Sequence, residues 1–297
     1  MVAVSICMTN YNTAEVIRKS LDSVLSLLDG LDFEVVAVDN FSTDGSSEIL
    51  RDYARAHRNV TVVQKRCLRG MGWQTAFERS SGNLVVFAAC DTVYNRHWRE
   101  LIDLFLRDRY DFGLTAVFTE ICPRPLLRAV GGWRNLQYWE DVDLRARLAA
   151  RGAWRGYPVV CGENLKRIAA VDRFEKAYRL YRRIHDKMLV ATWMPVRLYV
   201  QGYAASIVQR PGRRKVFRIA YYMPLVLAAI VVSRLRKHAF RREGVDAVIL
   251  NDSRWFIDLG LVSPEELGTS VSKYDTKEGC EDALRRGDFT FLPGFYD

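Results

Sequence analysis

Leu84-Val85-Val86-Phe87-Ala88-Ala89-Cys90-Asp91-Thr92 is the stretch whose reading decides the fold. Its first four residues form an unbroken apolar run, the pattern of a strand buried on both faces of a parallel sheet. The run leads to one carboxylate, Asp91, at the strand's carboxyl end. In open α/β sheets ligands bind off the carboxyl ends of strands. Asp91 is therefore placed either to hold a divalent ion that carries a phosphorylated substrate or to cap the next helix. These residues alone leave the two readings level.

Working outward, residues 2–8 read as a first strand and Thr9-Asn10-Tyr11-Asn12 as a polar turn, with Thr13 expected to cap an amphipathic helix over 14–28. A second strand over 33–38 runs into the turn-rich loop 39–46 and a helix over 46–57. A short strand follows at 60–63, and Gly70-Met71-Gly72 opens a helix reaching about residue 80. Downstream, 112–118 reads as a strand, 123–130 as a short helix and Gly131-Gly132-Trp133 as a turn. Trp139-Glu140-Asp141-Val142-Asp143 starts a strong helix that Gly152 ends. Strands alternating with helices predict an α/β fold with a doubly wound, mostly parallel sheet. The helix dipole favours carboxylates in a first turn by about 0.3–1 kcal/mol each. That accounts for one or two of Glu140, Asp141 and Asp143, but not for their place beside two Trp and a Gly-Gly turn.

The chain has 297 residues, 49% of them hydrophobic, which excludes a disordered protein and leaves room for one large domain and a further segment. The net charge of +9 is unevenly placed. Residues 1–164 hold 20 basic and 20 acidic side chains, 165–243 hold 19 and 4, and 244–297 hold 5 and 11. The basic segment also contains the longest apolar runs: 188–208, charged only at Arg197, and 219–233, without a charge. Basic flanks around apolar helices point to an anionic membrane surface, not to nucleic acid. The six Cys show no CxxC pair and read as small buried hydrophobes of a reducing compartment. No signal peptide is recognised, so the catalytic part is expected in the cytosol.

The ordered set of motifs resembles the family 2 glycosyltransferases, nucleotide-sugar-dependent enzymes with the GT-A fold. The resemblance rests on Tyr11-Asn12 after the first strand, the loop Val38-Asp39-Asn40-Phe41-Ser42-Thr43-Asp44-Gly45-Ser46, Arg69-Gly70-Met71-Gly72, the strand end at Asp91, Val130-Gly131-Gly132-Trp133, and Glu140-Asp141-Val142-Asp143-Leu144 with Arg147-Leu148. It covers roughly residues 2–165 and implies a GT-A catalytic domain over 1–165. It also implies roles. Asp39 would meet the nucleotide base, flanked by Thr9 and Tyr11, with Asn12, Asn40, Arg69 and Gly70 completing the donor site. Asp91 stands at the last Asp of the family's Asp-x-Asp element, which holds Mn²⁺ or Mg²⁺ on the diphosphate. The first Asp of that element is replaced by Ala89, so the ion would lean on the diphosphate, water and a downstream residue such as His185. Asp141 matches the catalytic base, supported by Glu140, in a single displacement that inverts the anomeric carbon. Trp133 and Trp139 would stack on an acceptor sugar or pack structurally. Arg124, Arg134 and Lys166 would hold an acceptor phosphate.

Beyond about residue 165 the family pattern ends. The region 166–243 reads as membrane-associated helices, a helical hairpin embedded in the membrane with crossing and lying in the cytosolic leaflet both open, and 244–297 as an acidic tail packing on the body. Asn251-Asp252-Ser253-Arg254-Trp255 is only weakly similar to the Gln-x-x-Arg-Trp element of cellulose-synthase-like relatives. A nucleotide-sugar site joined to such helices implies a lipid-linked acceptor, as in polyprenyl-phosphate glycosyltransferases including dolichyl-phosphate mannose synthases. The expectation is therefore a metal-dependent hexosyltransferase that moves mannose from GDP-mannose to a dolichyl-phosphate-type carrier. The alternatives are a soluble or protein acceptor, and an inactive nucleotide-sugar-binding protein.

Overall fold

The computed structural model describes residues 2–149 and 151–165, with isolated helical positions between 178 and 231. The anticipated apolar hairpin, Lys166 and the acidic tail lie outside the described residues or nearly so. Among the described residues no helix is long and apolar enough to cross a membrane.

Four strands come first: β1 (Val4–Asn10), β2 (Phe33–Asp39), β3 (Val60–Gln64) and β4 (Leu84–Ala89). They pair in parallel in the order β3-β2-β1-β4. The sheet continues through β7 (Thr119–Pro123), β6 (Gly113–Val117) and β8 (Trp154–Val160). β7 is antiparallel to both its neighbours, and β8 restores the parallel direction beside β6. The short strands β5 (Thr92–Tyr94) and β9 (Gly162–Asn164) form a separate antiparallel pair. The mostly parallel α/β sheet is thus as expected, while β5, β7, β8 and β9 carry no clear signature in the sequence.

Strand side chains alternate between two faces. Val4, Ile6, Met8, Val35, Ala37, Val86 and Ala88 share one buried cluster with Ile17, Leu21 and Val24 of α1 (Ile17–Leu27). The same cluster takes Leu50 of α2 (Ser46–Ala56) and Trp98, Leu101, Ile102 and Phe105 of α4 (Arg96–Asp108). On the other face Phe87 meets Trp73 of α3 (Arg69–Arg79) and Trp133, with ring centroids 5.3 and 4.9 Å apart. Trp133 also stacks on Trp73 at 5.7 Å and is 4% exposed. It is a core residue, so of its two readings, acceptor stacking and structural packing, the structure favours packing. Fully burying one such side chain contributes roughly 1.5–3 kcal/mol, and this packing fixes the loop before the acidic helix.

Three local expectations change. The helix anticipated over 14–28 starts only at Ile17, and Thr13 does not cap it. Its hydroxyl donates to Asn10 Oδ1, while Asp44 Oδ2 accepts the Ala14 N–H at 2.8 Å. Asp91 caps no helix: β5 intervenes, and α4 is capped by Asn95, whose side chain accepts from the His97 N–H at 3.0 Å. Arg124, at the start of α5 (Arg124–Ala129), is buried at the amino ends of β1 and β4. It donates to the carbonyls of Gly82 and Phe77 and to the hydroxyls of Ser5 and Ser80. This is the sheet edge opposite Asp91, so Arg124 ties strands together and does not hold an acceptor phosphate.

Candidate active site

The carboxyl ends of β1, β2 and β4 carry the polar residues that the sequence singles out. Asn10, the last residue of β1, is a hub. Its side-chain N–H groups donate to Asp39 Oδ1 at 2.7 Å, Ser42 Oγ at 3.1 Å and Ser46 Oγ at 2.9 Å. Asp39 is wholly buried at the end of β2. Its Oδ1 also accepts from the Ser42 hydroxyl, and its Oδ2 from Ser42 N–H and Gln64. Both Asp39 oxygens thus organise the loop 39–46. Asn12, at φ 52°, presents Oδ1 to Thr43 N–H, and Asn40 Oδ1 accepts from Cys67 N–H. Burial would raise the Asp44 carboxyl, but hydrogen bonds from Ala14 and Ser46 hold it below the usual carboxylate range. The large hydrophobic groups exposed at this mouth are Tyr11 and Phe41, the latter with the Arg66 guanidinium 5.8 Å from its ring. Thr9 lies beneath, its methyl against Gly72.

Gly70 is needed for close approach. A Cβ there would lie 2.0 Å from the Arg134 carbonyl oxygen, and its N–H donates to Leu136 O at 2.8 Å. It docks the loop 134–136 on α3, and its N–H is taken up there. Arg69 beside it joins three parts of the site. Its N–H donates to Gln137 Oε1, its guanidinium meets Glu140 at 3.0 Å, and it feels the charges of Asp141 and Asp91. Arg69 thus pairs with Glu140, while Asp141 and Asp91 lie within its electrostatic reach.

Trp139 enters α6 (Glu140–Ala149) at φ 64°, a conformation costly for a bulky side chain and found at functional sites. Glu140 is 5% exposed, and burial pushes its carboxyl up to about 7 against the pull of Arg69. Asp141 is 40% exposed at its side chain. Its Oδ1 accepts Val142 N–H at 2.8 Å and its Oδ2 meets Arg145 Nη1 at 3.1 Å. Asp143 faces inward, fully buried between Arg134 and Arg147, and Arg147 also donates to the carbonyls of Val130 and Gly132. Arg134, expected to hold an acceptor phosphate, is thus engaged by Asp143. Asp186, buried, accepts from the backbone N–H groups of Gln137 and Tyr138 at 2.7 and 3.1 Å. His185, offered from sequence as an ion ligand, contacts Asp186 through Nδ1 at 3.0 Å.

A carboxyl whose native pKa lies above its unfolded value binds protons more readily in the fold. Its stabilising contribution is complete near pH 4.5 and is lost as pH rises toward 7. Wild type therefore loses up to about 3 kcal/mol relative to Glu140→Gln across that window. Melting temperatures of both proteins at intervals from pH 4.5 to 7.5 check this. Parallel curves contradict it.

For a divalent cation the residues offer little but fit one mode. Among the described residues no three His, Cys, Asp or Glu side chains converge on a metal position. Asp91 Oδ1 accepts from Asn164 at 3.1 Å, which orients the carboxylate. One carboxylate plus substrate phosphates and water is how Mg²⁺ is commonly held.

Residues 5–140 match the family model of glycosyl transferase family 2. Over 100 residues the chain is 34% identical to glycosyltransferase AglE of Haloferax volcanii, covering 33% of each protein. Over 63 residues it is 35% identical to the poly(ribitol-phosphate) beta-glucosyltransferase of Bacillus spizizenii, covering 21% of this chain and 10% of that one. The matches therefore span a third or less of these curated relatives. Among solved structures, S. aureus TarS 1–349 in complex with UDP-GlcNAc superposes with a TM-score of 0.50 at 17% identity, covering 76% of this chain and 73% of that one. That likeness is one of fold, and the fold is GT-A-like.

Proposed function

We propose, from the premise that residues 5–140 form a family 2 glycosyltransferase domain, that the chain is an inverting hexosyltransferase using a nucleotide-sugar donor. The observation that carries this reading is the ion pair of Arg69 with Glu140 at the start of α6, with Asp141 and Asp91 within electrostatic reach of the same guanidinium. Tyr11, Phe41 and Asn40 border the place for the base, and Asp39 holds their loop in shape. Asp91 would hold a Mn²⁺ or Mg²⁺ ion, which when bound supplies charge stabilisation to the departing diphosphate. Arg69 adds a fixed positive charge beside that place. Asp141, partly exposed and oriented by Arg145, takes the proton of an attacking hydroxyl.

The acceptor is read as a sugar hydroxyl on a polyprenyl- or dolichyl-phosphate-linked carrier, at the cytosolic face of a membrane. The basic, apolar region 165–243 supports the lipid-linked carrier. Two of the three cations considered for an acceptor phosphate are engaged elsewhere, Arg124 in the sheet and Arg134 with Asp143. A phosphate nucleophile would also leave a base little to do, since its second pKa of about 6 leaves it ionised at neutral pH. Mannose from GDP-mannose is the first donor to try. The test is a screen of nucleotide sugars with Mn²⁺ or Mg²⁺, offered polyprenyl phosphate and a polyprenyl-linked glycan, following lipid-soluble product. Product on the glycan supports the reading. Product only on the bare phosphate removes the hydroxyl acceptor, and no product with any donor removes the function.

A further inference from the structure

The interior strand β7 carries one carboxylate, Glu120, which is 6% exposed. It pairs across the sheet with Phe87 of β4 and Thr115 of β6. Arg145, on the second turn of α6, reaches it. Arg145 Nε donates to Glu120 Oε1 at 2.6 Å and Nη2 donates to the same oxygen. The remaining terminal nitrogen, Nη1, meets Asp141 Oδ2 at 3.1 Å. A guanidinium is a planar fork, so holding Nε and Nη2 on a buried strand aims Nη1 at the more exposed carboxylate. Glu120 Oε2 is buried without a hydrogen-bond partner among the described residues. Such an atom is costly to keep in a sheet interior.

We propose that Glu120 is a positioning residue for the reaction, which through Arg145 sets both the orientation and the basicity of Asp141. The inference rests on the reading of Asp141 as the base. One guanidinium serves two carboxylates. While Glu120 is ionised it shares the positive charge of Arg145 with Asp141. When Glu120 is neutral the charge bears on Asp141 alone, which becomes a weaker base. Burial pushes the Glu120 carboxyl up to about 7, with Arg145 opposing and Asp141 adding to the rise, so this exchange falls near neutral pH. The ionisable groups that face the pair are Asp141 and Glu140 on α6 and Cys122 on β7, with Arg69 of α3 behind Glu140.

The test uses the full chain labelled with ¹³C-carboxyl aspartate. The Asp141 resonance is assigned by its loss in Asp141→Asn. In Glu120→Gln the Asp141 titration midpoint falls by about one pH unit, and the acid limb of kcat/KM moves with it. In Arg145→Met the midpoint rises, and adding Glu120→Gln to that variant moves it little further. A midpoint unchanged in Glu120→Gln overturns the proposal, because a purely structural Glu120 would alter stability and leave the titration alone. If Glu120→Gln does not fold, Arg145→Met decides by the same measurement, and an unmoved midpoint there also overturns it. The titration needs no turnover. A midpoint that moves as stated while Asp141→Asn retains full activity supports the coupling and removes the base.

Discussion

Asp141→Asn lowers kcat for transfer to a sugar hydroxyl by about 10²- to 10⁴-fold, the usual worth of a positioned general base. Donor affinity changes little, because Asp141 is bound to Val142 N–H and Arg145 and not to the loops that hold the nucleotide. Asn keeps the shape but has one acceptor oxygen, so it retains at most one of the contacts to Val142 N–H and Arg145, and it is the comparison of the two acceptor types that isolates proton transfer. With a phosphate monoester as nucleophile the same substitution reduces the rate only a few-fold, since no proton must be removed. Steady-state kinetics with both acceptor types, at fixed donor, measure the difference. Near-full activity on the hydroxyl acceptor removes Asp141 from the role of base.

Asp91→Ala abolishes the part of donor binding that depends on a divalent ion. No cluster of three His, Cys, Asp or Glu groups stands ready among the described residues, and on the proposed function Asp91 would be the protein's share of the ion's ligands. Removing even an outer-shell partner of a metal site typically costs 10–100-fold in affinity, and the loss in Asp91→Ala is at least of that order. Calorimetric titration of a nucleoside diphosphate, with and without Mn²⁺, should show enhancement in wild type and none in Asp91→Ala. Equal enhancement in both would show that Asp91 only orders the β5–β9 corner, where it accepts from Asn164.

The parts of this molecule legible in its sequence are those where one local pattern has one physical cause. β1, β2 and β4 are buried on both faces, so they read as unbroken apolar runs, and the polar residues that end them stand at the sheet's carboxyl edge. The acidic start of α6 is equally plain. α4 was legible though not anticipated: Trp98, Leu101, Ile102 and Phe105 stand at i, i+3, i+4 and i+7 with the charged side chains on the opposite face. β7 is hidden by Glu120, a charge inside a sheet that makes sense only once Arg145 is seen to reach it. Direction in space is the other thing sequence lacks. Arg124 and Trp133 have the right chemistry for an acceptor site, but one faces the far edge of the sheet and the other the core. Asp186, nearly fifty residues downstream, holds Gln137 and Tyr138 just ahead of α6, a contact no local motif announces.

A base on one side of the sugar and a held diphosphate on the other give direct displacement with inversion. The anomeric configuration of the product tests this most directly. Purified full chain is incubated with the donor that the screen identifies and with a hydroxyl acceptor, and the new linkage is read from its anomeric proton coupling or carbon–proton coupling. An α-linked donor should yield only the β-linked product, at a rate that collapses in Asp141→Asn. An α-linked product would contradict single displacement, and with it the roles of Asp141 as base and Glu120 as its positioning residue.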